Sequence, residues 1–324
     1  TGASLTAVGH NAAGSNTTSN NITAIGQNAL LSNTTGGENT AVGSTTLDAN
    51  STGTANTALG YGALGANTTA NNNTACGYVA LAVNTTGTSN VAVGYAALDA
   101  NTTADNNTAV GHNSLGVCTE GHSNTAVGQG SAENITTGDH NVAIGRNALG
   151  SQTTADNNVA IGQSALFDNT TGESNVAIGS NALDANTTAS NNVAIGVNSL
   201  GLNTTGTSNV AVGTNSLDAN TDANNNTGVG YNSLTANTTG SKNTALGSAT
   251  LAASTTADNN TAIGYLALTA NTTGQSNTAV GEEALTSNTT ANNNTAIGRE
   301  ALHSNTTGTQ ITAVGANALM SFVS

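Results

Sequence analysis

Residues 295–311 read Thr295-Ala-Ile-Gly-Arg-Glu-Ala-Leu-His-Ser-Asn-Thr-Thr-Gly-Thr-Gln-Ile311, and this 17-residue unit recurs along the whole chain. Its opening returns as Thr-Ala-Val-Gly at Thr312 and stands one unit earlier at Thr278. All 19 openings, from Thr6 to Thr312, are spaced by 17 residues without an insertion. A short period kept this strictly predicts stacked repeats, with one coil for each unit. We number the positions of the unit from 1 to 17.

The unit has a fixed pattern. Position 4 is always Gly, position 1 is Thr or Val, and position 2 is Ala except at Gly228. Position 3 is Val, Ile or Leu except at Cys76, and position 8 is Leu in all but two units. Positions 11 to 13 mostly read Asn-Thr-Thr, and position 17 is Asn in the full units except at Ile22 and Ile311. Apolar and polar residues therefore recur in register, which disordered tracts do not show.

This pattern predicts an all-β fold, a parallel β-solenoid with 17-residue coils. We expect positions 1 to 3 to form a strand with positions 1 and 3 facing the core and Ala at position 2 facing out. The Gly at position 4 then makes a corner, positions 6 to 8 make a second strand with Leu inward, and positions 11 to 13 make a third extended piece. Asn at position 11 or 17 is expected to bond the coils above and below.

The period also sets the domain organisation. Seventeen residues are too few for a two-helix repeat, and Gly, Asn and Thr are poor helix formers. We expect residues 1–324 to be one uninterrupted solenoid of about 18 to 19 coils, with an incomplete last unit from residue 312. Residues 1–5 already fit the end of a preceding unit, so we expect a longer parent chain or ends that stack on neighbouring copies.

Composition excludes several functions. The net charge is −14, with 17 acidic residues against Arg146, Lys242 and Arg299, so no basic patch for nucleic acid exists. No apolar run is long enough for a membrane span. The five histidines form no metal-ligand spacing, and no catalytic set of Ser, His, Cys and acid recurs. We therefore expect no enzyme activity, no catalytic or metal residues and no cofactor.

The segments Asn158-Val-Ala-Ile-Gly162 and Asn192-Val-Ala-Ile-Gly196 carry a family resemblance. This five-residue core resembles the head repeats of trimeric autotransporter adhesins, and similar repeats occur in fibres of phages and other viruses. The resemblance implies a left-handed parallel β-roll, three chains packed side by side and a place on a cell surface. The 17-residue period is longer than that family's usual coil, and the Asn-Thr-Thr triplet is an addition to it.

The pattern and the resemblance together favour a structural protein of an extracellular fibre or fibrous adhesin, on a cell surface or virion appendage. Its main partner would be itself, in a homo-oligomer, filament or trimer formed by coil stacking or by side-by-side packing. We expect small residues at positions 2 and 7 to form the packing surfaces. The alternatives are an adhesin head that binds a receptor or host and surface glycans, and an ice-binding β-solenoid with Thr rows at positions 12 and 13.

Two sets of residues are candidate sites. The first is a row of Asn-x-Thr or Asn-x-Ser sequons at position 11, which predicts either a glycoprotein or a turn-and-ladder device. Its members are Asn16, Asn33, Asn50, Asn67, Asn84, Asn101, Asn169, Asn186, Asn203, Asn237, Asn271, Asn288 and Asn305. The second is a row of tyrosines at position 5, which predicts a binding corner or an aromatic ladder that covers the Gly corner. Its members are Tyr61, Tyr78, Tyr95, Tyr231 and Tyr265.

Acidic residues recur at positions 9 and 15, where calcium could bridge carboxylates of stacked coils, but the pattern predicts that these side chains are solvated. They rarely occur in adjacent coils, and the glycine-rich motif of calcium-binding rolls is missing. These residues are Asp48, Asp99, Asp184 and Asp218 at position 9, and Asp105, Asp139, Asp156 and Asp258 at position 15.

Overall fold

The structure, a computed structural model, describes residues 3–323. Within that range the secondary structure consists of 19 short β-strands joined by turns, with no helix. The chain divides into two compact structural units, each made of many 17-residue repeats. The first structural unit ends at Asn158 and the second begins at Val159. Each unit is a parallel β-solenoid with 17-residue coils, which confirms the predicted fold class.

The first unit holds nine strands: β1 Leu5–Val8, β2 Ile22–Ile25, β3 Thr40–Val42, β4 Thr57–Leu59, β5 Thr74–Cys76, β6 Val91–Val93, β7 Thr108–Val110, β8 Thr125–Val127 and β9 Val142–Ile144. The second unit holds ten: β10 Val159–Ile161, β11 Val176–Ile178, β12 Val193–Ile195, β13 Val210–Val212, β14 Thr227–Val229, β15 Thr244–Leu246, β16 Thr261–Ile263, β17 Thr278–Val280, β18 Thr295–Ile297 and β19 Thr312–Val314. In each unit every strand pairs in parallel with the next one along the chain, as in the pairing of Val176 with Val193.

Coils are bonded to each other well beyond the three-residue strands. The amide of Leu183 donates to the carbonyl of Ser199 at 3.0 Å, and the amide of Thr187 donates to the carbonyl of Thr204 at 3.1 Å. In the other direction, the amide of Asn191 donates to the preceding coil, to Glu173 O at 3.1 Å. Backbone amides and carbonyls in the turns therefore find their hydrogen-bond partners in neighbouring coils. These bonds explain how coils with three-residue strands form a regular stack.

The orientation predicted for the strand is wrong. Ala at position 2 is fully buried in nearly every coil, whereas positions 1 and 3 are half-buried or exposed. The reason is visible at Gly228, where an added Cβ would lie 2.7 Å from Ser216 Oγ and 3.4 Å from Leu217 Cδ1. The side chains at positions 7 and 8 already fill the interior, so position 2 has room for no more than a methyl group, and at Gly228 even that group would be too close to Ser216 Oγ. Position 7 is buried as well, and the predicted small-residue outer surfaces do not exist.

The interior has an aliphatic layer and an amide layer. Leu at position 8 is buried as predicted and packs in the aliphatic layer with positions 2 and 7. The amide layer contains buried Asn at positions 11 and 17 around Gly or Ala at position 14. Asn186 Nδ2 donates to Asn169 Oδ1 at 2.8 Å and to Ala189 O at 3.0 Å. Both predicted Asn ladders are therefore present, and they bond coil to coil inside the solenoid.

Turns replace the second and third strands that the pattern predicted. Positions 6 and 8 both have positive φ, as in Asn181 at 55° and Leu183 at 51°, so positions 6 to 8 cannot extend as a strand. Positions 11 to 13 are a bend. The predicted glycine corner is confirmed, since every position-4 Gly has φ between 127° and 149°. Leu at positive φ is uncommon, and here all the position-8 leucines except the half-exposed Leu319 combine that conformation with full burial.

Candidate functional surface

The outward side of each strand carries two uncharged rows of side chains, which we call the outer sheet face: position 1 is Thr or Val, and position 3 is Val, Ile, Leu or, once, Cys. Leu59 is 48% exposed and Ile195 is 38% exposed on this face. None of the chain's 17 acidic and three basic residues occupies position 1 or 3. On a chain of net charge −14, the uncharged stripe of side chains within each compact unit is a candidate contact surface.

The corner beside this face carries the aromatic row. Tyr61, Tyr78 and Tyr95 stack at ring-centroid distances of 5.3 Å, as expected from their shared position in consecutive coils. His112 extends the stack at 5.1 Å from Tyr95, and sequence reasoning missed it because only tyrosines were considered. Its place at position 5 of the next unit was the signal that could have found it. We call these four residues the aromatic ladder.

The remaining tyrosines do not join a stack. Tyr231 and Tyr265 occupy position 5 two coils apart, with Ser248 between them, and among residues 3–323 neither has a stacked ring partner. Both are more than half exposed. Because the inner rings of the aromatic ladder cover each other's faces, a sugar could stack only at its two ends.

The sequon row lies inside the solenoid. Apart from Asn16, whose Oδ1 accepts from Ser19 Oγ and which is half-buried, these asparagines are fully buried. Their amide nitrogens donate within the amide layer, as Asn203 Nδ2 does to Gly206 O at 2.9 Å. A glycan on Nδ2 would have to remove the side chain from this ladder. The geometry therefore favours the ladder interpretation of the triplet, and glycosylation stays a prediction.

The two threonines of the triplet differ in exposure. Thr at position 12 is mostly half-buried and its hydroxyl donates to the next coil, as Thr204 Oγ1 does to Thr221 O at 3.0 Å. Position 13 is exposed in all 18 full repeats, where it is Thr except at Glu120 and Asp222. An ice-binding face would thus depend on the position-13 row, because the position-12 hydroxyls are already used.

Acids at position 15 have a structural role. Asp105 Oδ1 accepts from the amide of Thr88 at 2.5 Å, and Asp258 Oδ1 accepts from the amide of Ser241 at 2.7 Å. Asp139 and Asp156 make the same contact with the preceding coil. Each carboxylate caps a backbone amide one coil away. The acids at position 9 differ: burial raises the pKa of Asp48, Asp99, Asp184 and Asp218 above the usual 3.8.

Asp184 gives a pH-dependent prediction. Burial raises the pKa of its carboxyl, the charge of Asp168 raises it further, and its Oδ1 is buried without a hydrogen-bond partner. A folded pKa above the unfolded one destabilises the charged state, and this effect disappears once pH falls below the unfolded value of 3.8. We expect Asp184→Asn to raise the thermal midpoint at about pH 7 and to leave it unchanged at about pH 3. Thermal unfolding followed by circular dichroism at both pH values tests this, and an equal shift at both would contradict it.

Other chemistry is sparse within residues 3–323. Cys76 and Cys118 are free thiols, and burial raises the pKa of Cys118 to about 11, so this thiol is protonated at neutral pH. No three His, Cys, Asp or Glu side chains in the described range are grouped so as to hold a metal ion. The same range has no helix long and apolar enough to cross a membrane.

Comparison with known proteins adds no relative. No family model matches the chain, and no curated protein matches it.

Proposed function

We propose that this chain is a structural repeat protein of an extracellular fibre or fibrous adhesin, whose copies pack side by side through the outer sheet face. The observation that carries the proposal is that every coil turns two uncharged rows outward, half-buried or exposed, of Thr or Val at position 1 and mainly aliphatic side chains at position 3. The small-residue rows at positions 2 and 7 are buried, so they leave this face as the extended apolar surface. The resemblance to adhesin heads and viral fibres supports the extracellular location.

A second copy of the chain is the partner that fits this face best. Side chains on the face repeat at the spacing of neighbouring strands, about 4.8 Å. A partner whose side chains interdigitate with every coil must repeat at the same spacing, which a second copy does. The absence of charge at positions 1 and 3 also matters, because two copies of net charge −14 repel each other unless their acids stay away from the contact.

Charge placed on the outer sheet face should abolish this association. The test variant carries Ile161→Lys, Ile178→Lys and Ile195→Lys, three position-3 residues of consecutive coils. A lysine buried in an apolar contact is unpaired, so we expect the dissociation constant to rise about 100-fold or more. Analytical ultracentrifugation over a concentration series measures the effect.

The matched control carries Thr171→Lys, Thr188→Lys and Thr205→Lys, which add the same charge to position 13 of the same three coils. This control should associate like the wild-type chain. Far-ultraviolet circular dichroism verifies that both variants keep the fold. A wild-type chain that stays monomeric at high concentration, or two variants that behave alike, would overturn the proposal.

A further inference from the structure

The aromatic ladder has a geometry that the proposed function does not use. Its tyrosines belong to consecutive coils of the first compact structural unit, and the planes of neighbouring rings are within 14° of parallel. Tyr61, Tyr78 and Tyr95 are 53%, 51% and 53% exposed, so each ring can be reached from solvent while contacting a neighbour. Phenols stacked on one another and open to solvent are well placed to react together.

We propose that the aromatic ladder is a site of oxidative cross-linking, where tyrosines of neighbouring coils couple to dityrosine. The co-reactant is a one-electron oxidant of the peroxidase class, supplied with hydrogen peroxide. The products are a Tyr61–Tyr78 or a Tyr78–Tyr95 bond within one chain. Either bond would staple two coils covalently along the stacking direction, where the solenoid otherwise depends on hydrogen bonds and packing.

Each phenol loses one electron and one proton to give a phenoxyl radical, and the two radicals join through the ring carbons next to the hydroxyl groups. Each joined carbon then loses its hydrogen as a proton, which returns to the phenoxyl oxygen when the rings become aromatic again. Two phenols lose two hydrogens in total, and one hydrogen peroxide is reduced to two waters.

The fold favours coupling at this site over coupling elsewhere in the chain. Neighbouring rings of the aromatic ladder are 5.3 Å apart before the reaction, and rotation of these exposed side chains out of the face-to-face stack brings the ring carbons edge to edge. Holding two reactants side by side makes their reaction effectively intramolecular. Tyr231 and Tyr265 have the same chemistry and similar exposure but are separated by the coil that carries Ser248. They form a control within the same molecule.

One neighbouring group competes for the radical. Cys76 is a free, half-buried thiol at position 3 of the coil that carries Tyr78, and a thiol can reduce a phenoxyl radical. The test therefore uses a Cys76→Val background throughout, since Val is common at position 3 in other coils.

The full chain is treated with horseradish peroxidase and hydrogen peroxide over a dilution series. Dityrosine is measured by its fluorescence, and the linked residues are identified by peptide mass spectrometry. We expect Tyr61–Tyr78 and Tyr78–Tyr95 links in the monomer band, with a yield per chain that does not depend on concentration. Links between Tyr231 and Tyr265 should stay at background.

Two variants test whether coupling requires the Tyr78 phenol and tyrosines in consecutive coils. Tyr78→Phe keeps an aromatic ring in the middle of the stack but removes its phenol, so intrachain dityrosine should fall to background. Ser248→Tyr fills the coil between Tyr231 and Tyr265 and should add two new links, about doubling the intrachain yield. Coupling of Tyr231 to Tyr265 at the same yield as the ladder, no effect of Tyr78→Phe, or dityrosine found only between chains would overturn the proposal. None of these outcomes depends on whether copies associate through the outer sheet face.

Discussion

Gly111→Ala is expected to destabilise the solenoid by about 3 kcal/mol or more, because two separate effects act on this one methyl group. Gly111 has φ of 141°, a conformation that residues with a Cβ rarely adopt. Its added Cβ would also lie 2.4 Å from Gly128 O and 2.7 Å from Gly128 C, which are backbone atoms of the next coil. Relief would require those two coils to separate at the corner. Urea unfolding followed by circular dichroism measures the loss.

The same coil contains a control for Gly111. Gly116 stands at position 9, where other coils carry Ala82 and Ala252, and an added Cβ there would be 3.4 Å or more from its neighbours. Gly116→Ala should change the free energy of unfolding by no more than about 0.5 kcal/mol. Equal effects of the two substitutions would show that the corner does not require glycine.

Asn209→Ala is the second substitution with a large expected effect, roughly 3 kcal/mol. Asn209 is fully buried at position 17, and its Oδ1 accepts from the backbone amide of Asn226 at 2.9 Å. Its Nδ2 donates to Ala223 O at 2.8 Å. Truncation leaves the Asn226 amide buried without this acceptor, and Ala223 O keeps only the donor Asn220 Nδ2, at 3.2 Å. Hydrogen exchange of the coils on either side of residue 209 should increase along with the loss in unfolding free energy.

The position-11 ladder supplies the comparison. Asn203→Ala should cost about half as much, because Asn203 bonds side chains and Gly206 O, and that carbonyl also accepts from Asn192 Nδ2 at 2.9 Å. No backbone amide loses its partner in this variant. The chain itself has Cys118, Ile135 and Ser254 at position 11. A larger loss for Asn203→Ala than for Asn209→Ala would reverse this ranking and contradict the assignment.

Features that depend on the period could be predicted from the sequence. The 17-residue coil, the glycine corner, the inward Leu at position 8 and both Asn ladders follow from residues that recur at one place in each unit. The same argument predicted the stack of Tyr61, Tyr78 and Tyr95. It would have included His112 if every residue at position 5 had been considered, not only the tyrosines.

Features that depend on the width of the interior could not be predicted. A three-residue strand alternates between two faces, and nothing in the alternation says which face is inside. Choosing the larger side chains at positions 1 and 3 gave the wrong face, since positions 7 and 8 leave room only for Ala. The positive φ of Leu183 could not be predicted either, because leucine rarely adopts this conformation. This inversion is what exposes the rows at positions 1 and 3 and changes which surface is available for assembly.

The buried amide layer bears on whether the Asn-x-Thr sequons are glycosylation sites. Asn-x-Thr is the same triplet whether its amide carries a glycan or joins a ladder, and the sequence alone does not separate the two. Burial of Asn186 and Asn203 favours the ladder in the folded chain, since each amide nitrogen already has two acceptors. The triplet can therefore be explained by the requirements of the coil.

The central claim is that copies of this chain assemble through the outer sheet face, and electron cryo-microscopy of the concentrated wild-type chain tests it most directly. We expect solenoids lying side by side with the position-1 and position-3 rows in contact and a common axial repeat of about 4.8 Å. Separate single solenoids at high concentration would contradict it. So would pairs joined through the threonine edge or the aromatic corner, because the outer sheet face would then be exposed to solvent in the assembly.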